Sequence, residues 1–241
     1  MAVHDVVSGW RVWYTRPAEE RLTLYSPMYG TELQGFQPSN CRTNTRTMRA
    51  VCSLLSARED PVTGQRIWGR HNPPSPGCRC GIYAVTNVVD AIYRLRAMVA
   101  NIRRGDIYNC WFPLNPDRGM VPVLARVRLR QVVEHNDIGT WSILSQVRRQ
   151  IKTSTPVVRA ASAEITRIYI TDELAGAKAA DSIAQRLAMS FGVETFGGDY
   201  PTFSSADWDS RPEWMCTEPW STLYAVDSIL AGVYQSHGMS A

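Results

Sequence analysis

The sequence predicts an α+β protein with a mixed, mostly antiparallel sheet, a barrel-like core and about three helices. Two patterns support this: short runs rich in β-branched and aromatic residues, and longer stretches whose apolar residues recur every three or four positions. The chain has 241 residues, of which 44% are hydrophobic, enough for a sizeable core. We expect a single domain over 1–241, with a possible division into a Cys- and His-containing part (1–110) and a part with a strand pair and two helices (111–241).

The predicted strands are short, β-rich runs bounded by turn residues. An opening pair of strands is expected first, because two such runs lie on either side of a short polar segment. Further β-rich runs lie in the second half of the chain. The predicted strands cover 9–15, 22–27, 121–135, 140–149 and 164–171.

Three helices are predicted from apolar periodicity and end signals. The first covers 86–105, with Thr86 or Asn87 as N-cap and a terminal Gly105. Its apolar stripe predicts packing against the core and consists of Val88, Ile92, Leu95, Val99 and Ile102. The second covers 171–192, with Thr171 as N-cap and Gly192 as the stop, and the third covers 221–234. Between them, residues 201–220 are predicted to form a Trp-rich, acidic loop.

A Cys-x-Cys pair lies in the segment "RHNPPSPGCRCGIYAV" at 70–85, after an unusually long polar loop. Thiolate and imidazole are the ligands that structural zinc prefers, and bound metal would order such a loop. The four expected ligands are Cys52, His71, Cys78 and Cys80, with Cys41 in reserve. The alternative is that the two thiols of the pair are small buried residues at the start of a strand.

The segment "RVRLR" predicts a basic strand face. Because side chains alternate along a strand, Arg126, Arg128 and Arg130 share one side, and Val127 and Leu129 share the other. A row of guanidinium groups could follow nucleic-acid phosphates, or it could be an ordinary solvated face. The net charge of +4 is compatible with either. All but two of the 26 basic residues are arginine, which reflects either codon usage or a preference for forked, bidentate partners.

Neither a catalytic motif nor a membrane signal is found. The chain contains no P-loop, no dinucleotide-binding glycine motif, no nucleophile elbow and no HExxH pair, so we expect a protein without enzymatic activity, and the alternative is an enzyme of an unrecognised class. No apolar run is long enough for a spanning helix. The first ten residues lack the features of a signal peptide, so we expect a cytoplasmic protein with reduced cysteines.

Several segments together resemble a group of proteins from actinobacteria and their phages: "GWRVWYT", "HNPPSPGCRCGIYA", "VRLRQVVEH" and "EITRIYITDELA". This chain has Gln131 where that group usually has Gly or a similarly small residue. Size and layout are also similar to the recombination directionality factors of Streptomyces temperate phages. That resemblance implies a non-enzymatic protein that binds a large serine integrase and switches it from integration to excision, with DNA contacted through the integrase complex.

The metal hypothesis predicts about one zinc per chain in protein purified without added metal. Replacing Cys78 with Ser should then cost several kcal/mol of stability, because binding at a structural zinc site is coupled to folding. Elemental analysis and urea unfolding measure the two quantities. Less than about a tenth of an equivalent of zinc, together with an unchanged unfolding midpoint for Cys78→Ser, would contradict the hypothesis.

Overall fold

The structure is a computed structural model that describes residues 3–25, 42–51, 58–59, 66–67, 72–74, 81–104, 119–136 and 156–210. These residues form ten strands and four helices. The strands are β1 (Val3–Thr15), β2 (Leu24–Tyr25), β3 (Arg42–Thr43), β4 (Thr47–Arg49), β5 (Arg58–Glu59), β6 (Arg66–Ile67), β7 (Ile82–Val85), β8 (Val121–Asn136), β9 (Pro156–Ile170) and β10 (Glu194–Gly197). The helices are α1 (Val88–Arg104), α2 (Asp172–Ala175), α3 (Ala177–Phe191) and α4 (Ser205–Asp209).

Three long strands and one short strand close into a ring. Strand β8 pairs antiparallel with β1 along one edge and with β9 along the other. Strand β7 then joins the free edges of β1 and β9, again antiparallel. The second edge of β9 is covered in succession by β7, β4 and β10, of which only β10 runs parallel to it. The predicted α+β class with a mostly antiparallel sheet is therefore confirmed.

The inner face of the sheet forms the main apolar core. Alternate residues of β8 and β9, including Val127, Leu129 and Ile165, are fully buried there. Helix α3 packs against this inner face with a stripe at helical spacing: Ala180, Ile183, Ala184, Leu187 and Phe191. The approach of α3 to β10 is close, because a Cβ added at Gly197 would lie 2.6 Å from Asp181 Oδ1 and 2.8 Å from the Asp181 backbone.

Helix α1 covers one end of the outer face of the sheet. Its stripe residues Val88, Ile92 and Leu95 are buried against a second apolar cluster that includes Leu124 and Tyr169. Asn87 caps the helix by accepting a hydrogen bond from the backbone N–H of Asp90 at 3.0 Å. The predicted first helix, its cap and these members of its stripe are therefore confirmed.

Ionic groups hold α1 in this position. Arg94 Nε lies 2.8 Å from Asp90 Oδ1 within the helix, and this guanidinium opposes the rise in the pKa of Asp90 that burial causes. Arg96, which is 6% exposed, lies 2.9 Å from Glu173 Oε1 on α2. Glu173 also accepts a hydrogen bond from the Tyr200 hydroxyl, and burial raises the pKa of Tyr200. A buried pair of this kind fixes the position of α1 over the sheet, because removing one partner would leave a buried charge.

The second predicted helix is wrong in one respect, because it is divided in two. Thr171 caps α2 and Gly192 ends α3 in a left-handed conformation, as the sequence predicted. Between the two helices, however, Gly176 adopts φ 76° and ψ 154°, a backbone conformation that a continuous helix cannot contain. Glycine adopts a positive φ at little steric cost, and this favours the break.

The loop predicted over 201–220 contains a short helix, α4. Ser204 and Asp207 form a capping box, in which the Ser204 hydroxyl accepts from the Asp207 backbone and the Asp207 carboxylate accepts from the Ser204 backbone. The hydrogen bonds that the Ser204 backbone N–H and hydroxyl donate to the Asp207 carboxylate lower the pKa of Asp207. Trp208 is half-buried and its ring stacks with that of Phe203, with 6.3 Å between the centroids. The described residues thus contain four helices, which agrees with the predicted α+β class.

Three predicted features lie outside the described residues: the strand at 140–149, the helix at 221–234 and the zinc ligands. The opening strand pair is present, with Tyr14 opposite Tyr25. Among the helices that the structure describes, none has the length and apolar character needed to cross a membrane.

Gln131 has φ 53°, and it is the non-glycine residue with a positive φ among those described. It is exposed on β8, directly after Arg130. A side chain in this left-handed region brings its Cβ close to the backbone at a cost of roughly 1–2 kcal/mol.

Replacing Gln131 with Gly should therefore stabilise the protein by up to about 1 kcal/mol, since relief of the strain outweighs the additional chain entropy of glycine. Gln131→Ala is the matched control, because it removes the same side chain but keeps the Cβ, and it should bring no gain. The urea midpoint measures both variants. Equal stability changes in the two variants would show that the left-handed conformation carries no strain.

Candidate nucleic-acid interface

The three arginines of "RVRLR" lie side by side on the outer face of β8. Arg126, Arg128 and Arg130 are exposed, whereas Val127 and Leu129 are both 0% exposed. The predicted exposed face is therefore confirmed. Burying three guanidinium groups on the apolar side would require a partner for each of them, and the alternation of the strand avoids that cost.

Strand β9 extends the basic surface through a β-bulge. Arg126 is opposite Arg167, but the next residue, Val127, is opposite Ile165, so Thr166 is the extra residue. The Thr166 hydroxyl donates to the carbonyl oxygen of Arg126 at 3.1 Å. As a result Glu164 and Arg167 both lie on the outer face although they are three residues apart.

The segment at β4 adds two more arginines. Met48 packs against the inner core, so its neighbours Thr47 and Arg49 lie on the outer side, opposite Glu164 and Ser162. Arg46, immediately before β4, is exposed as well. We call the resulting surface the arginine face, which consists of Arg46, Arg49, Arg126, Arg128, Arg130 and Arg167.

Two glutamates lie within the arginine face. Glu164 Oε1 is 2.7 Å from Arg46 NH2, and its Oε2 is 3.7 Å from Arg128 NH1. Glu194 Oε2 is 3.0 Å from Arg167 Nε, with both side chains about half exposed. Exposed ion pairs of this kind contribute little stability. Six arginines and two glutamates leave an excess of positive charge on this surface.

The placement of two arginines is unfavourable for an isolated sheet. Arg126 and Arg167 are direct cross-strand neighbours, and like charges in that relation destabilise the pairing. Arg126 is partly accommodated by Ser8, whose hydroxyl accepts from its Nε at 3.3 Å. Anionic groups bound between the two guanidinium groups would relieve the repulsion.

A half-buried tryptophan borders the arginine face where α1 begins to cover the sheet. Trp10 is opposite Arg126 on β1, and the guanidinium carbon lies 5.9 Å from the indole centroid. The indole ring also contacts Tyr169, at 5.9 Å between centroids and an interplanar angle of 48°. Tyr169 in turn stacks on Phe196. The aromatic cluster under α1 therefore reaches the edge of the basic surface.

The zinc prediction stays a prediction, because Cys52, His71, Cys78 and Cys80 all lie outside the described residues. Within the ranges that are described, no three His, Cys, Asp or Glu side chains are grouped so that they could hold a metal ion.

Sequence reasoning found half of the arginine face. The residues it missed have no local pattern: Arg46 and Arg49 are more than 70 residues from β8, and the bulge at Thr166 interrupts the alternation in β9. The sequence "EITRI" could have indicated Arg167, because Glu164 precedes the apolar Ile165 and Arg167 precedes the apolar Ile168.

Comparisons of the chain with protein-family models, with curated proteins and with solved structures found no match.

Proposed function

We propose that this protein binds nucleic acid through the arginine face and recognises the sugar-phosphate backbone. The observation that carries the proposal is the convergence of six arginines from β4, β8, β9 and the residue before β4 on one exposed sheet surface. Guanidinium groups bind phosphate oxygens in a bidentate fork and remain charged at any physiological pH.

Neutral hydroxyl groups between the arginines suit the same ligand. Ser8 is opposite Arg128, and Ser162 is opposite Arg130, so hydroxyl groups alternate with guanidinium groups across the strands. Serine and threonine hydroxyls are common phosphate donors beside arginine in protein–nucleic acid complexes. A phosphate group bound between Arg126 and Arg167 would also attract both guanidinium groups and so offset the repulsion between them.

Glu164 has the position of a phosphate substitute in the unbound protein. Its carboxylate bridges Arg46 and Arg128, as a phosphate group could. A bound sugar-phosphate backbone would have to displace the Glu164 carboxylate, or it would place phosphate groups next to that carboxylate. Glu164 should therefore weaken binding, in contrast to the arginines around it.

Replacing Arg126, Arg128 and Arg130 together with Gln should weaken binding to a labelled oligonucleotide at every sequence tested. The slope of log K against log salt should fall in magnitude by about 2–3, because each lost phosphate contact accounts for roughly 0.7–0.9. Glu164→Gln should change affinity in the opposite direction. Fluorescence anisotropy between about 50 and 200 mM salt measures these effects.

Lys178→Gln is the matched control, because it removes an exposed positive charge from α3, the helix that covers the opposite face of the sheet. It should leave affinity within about twofold of wild type, since the contribution of a remote, screened charge is small. Circular dichroism and urea unfolding check that each variant is folded. If wild type binds no oligonucleotide at low salt, or binds anionic lipid vesicles with the same arginine dependence and greater affinity, the proposal is wrong.

Regulation of a large serine integrase is a second proposal. The segments that carry the sequence resemblance fall mostly in β1, β7, β8 and β9, which are the four strands of the closed ring. The arginine face lies on this same unit, so a protein bound to integrase at its attachment site would bring a basic surface next to DNA. On this proposal the chain acts by binding one arrangement of integrase more tightly than another.

In vitro recombination tests this regulatory role by titrating the protein against an integrase and its attachment-site pairs. Excision should begin, and integration should stop, near one protein per integrase subunit, because binding rather than turnover causes the switch. A gel shift with and without integrase separates the two proposals. Activity at a small fraction of an equivalent, or no effect in either direction, would count against regulation.

A further inference from the structure

The edge of the arginine face combines a cation row with an aromatic ring. Along β8 the side chains of Arg126, Arg128 and Arg130 recur every second residue, a spacing of about 6.7 Å at the rise of an extended strand. Trp10 lies across from the first of them and is only partly buried. An approaching ligand therefore meets regularly spaced positive charge and, at one end, an indole ring.

An extended single strand of nucleic acid has the matching pattern. It carries one phosphate per nucleotide at intervals comparable to the arginine spacing, and its unpaired bases are free to stack on aromatic side chains. Arg126, at 5.9 Å from the indole centroid, would contact the phosphate next to a base stacked at Trp10. In the unbound protein the Arg126 guanidinium lies over the indole ring, so it would move from the ring to the phosphate when a base stacks there.

A duplex fits this surface less well. Its bases are stacked internally, and proteins reach them by inserting a helix or a two-stranded ribbon into a groove. Four of its arginines belong to β8 and β9, two strands that are paired along both edges. Among the described helices, α1 covers the outer face with its apolar stripe, and α3 lies on the inner face. Neither α1 nor α3 therefore presents an exposed helix face for insertion at this surface.

We infer that the arginine face takes single-stranded nucleic acid, with one base stacked on Trp10. This inference rests on the proposed nucleic-acid binding and adds the class of ligand and a residue that contacts its bases. Stacking on one aromatic residue should contribute about tenfold or more to affinity. The contribution should be the same for different base sequences, because every base has an aromatic face.

The experiment compares three labelled DNAs of equal length: a single strand, the same strand with abasic sites throughout, and a duplex. Wild type should bind the single strand about tenfold more tightly than the abasic strand. Trp10→Leu, which keeps an apolar side chain beneath α1, should bind these two strands equally. Trp208→Leu is the matched control, because Trp208 belongs to the same aromatic cluster but lies on α4, and it should retain the preference of wild type.

The outcomes separate the inference from the proposal on which it rests. Equal affinity of wild type for the normal and abasic strands, or tighter binding of the duplex, overturns the single-strand inference while arginine-dependent binding can still hold. Loss of the base preference in both tryptophan variants likewise overturns the specific role of Trp10. Absence of binding to all three DNAs refutes the proposed function itself.

Discussion

The central position of β8 determines most of the structure. This strand pairs along its length with β1 on one side and β9 on the other, so its outward residues lie in the middle of a wide surface. Its inward residues, among them Val123, Val127 and Leu129, are fully buried. The burial of these side chains fixes the register, since a shift by one residue would place the arginines in the core and the valines in water. Every cross-strand relation in the arginine face depends on that register.

The two faces of the same sheet differ because their neighbours differ. The inner face is covered by α3, whereas the outer face is covered by α1 only at the end that includes Leu124 and Tyr169. The buried pair of Arg96 and Glu173 keeps α1 at that end. The arginines begin at Arg126, two residues beyond Leu124 on β8, where the side chains are exposed to solvent. A single outer face thus changes from an apolar contact to a basic surface over two residues of β8, and Trp10 lies at the transition.

Local patterns in the sequence predicted the elements whose signals are local. The alternation in "RVRLR" predicted the exposed arginines, and Asn87, Thr171 and Gly192 predicted helix ends through hydrogen bonds and backbone conformation confined to one turn. The features that were missed depend on distant partners or on a local change of period. Arg49 joins the surface only because β4 pairs with β9, and Arg167 does so only because Thr166 forms a bulge. The Gly176 break was missed because helical periodicity continues on both sides of it.

The pairing of β1 also has a consequence for synthesis of the chain. Thr15 is opposite Val121 and Val3 is opposite Val133, so β1 finds its main partner more than a hundred residues later in the chain. At about 5–20 residues per second, the aromatic side chains of β1 remain without that partner for roughly 5–25 seconds on the ribosome. Because β8 and β9 follow one another in the chain, their hairpin can form before β1 docks. While the rest of the sheet is being made, β1 therefore needs protection from premature association.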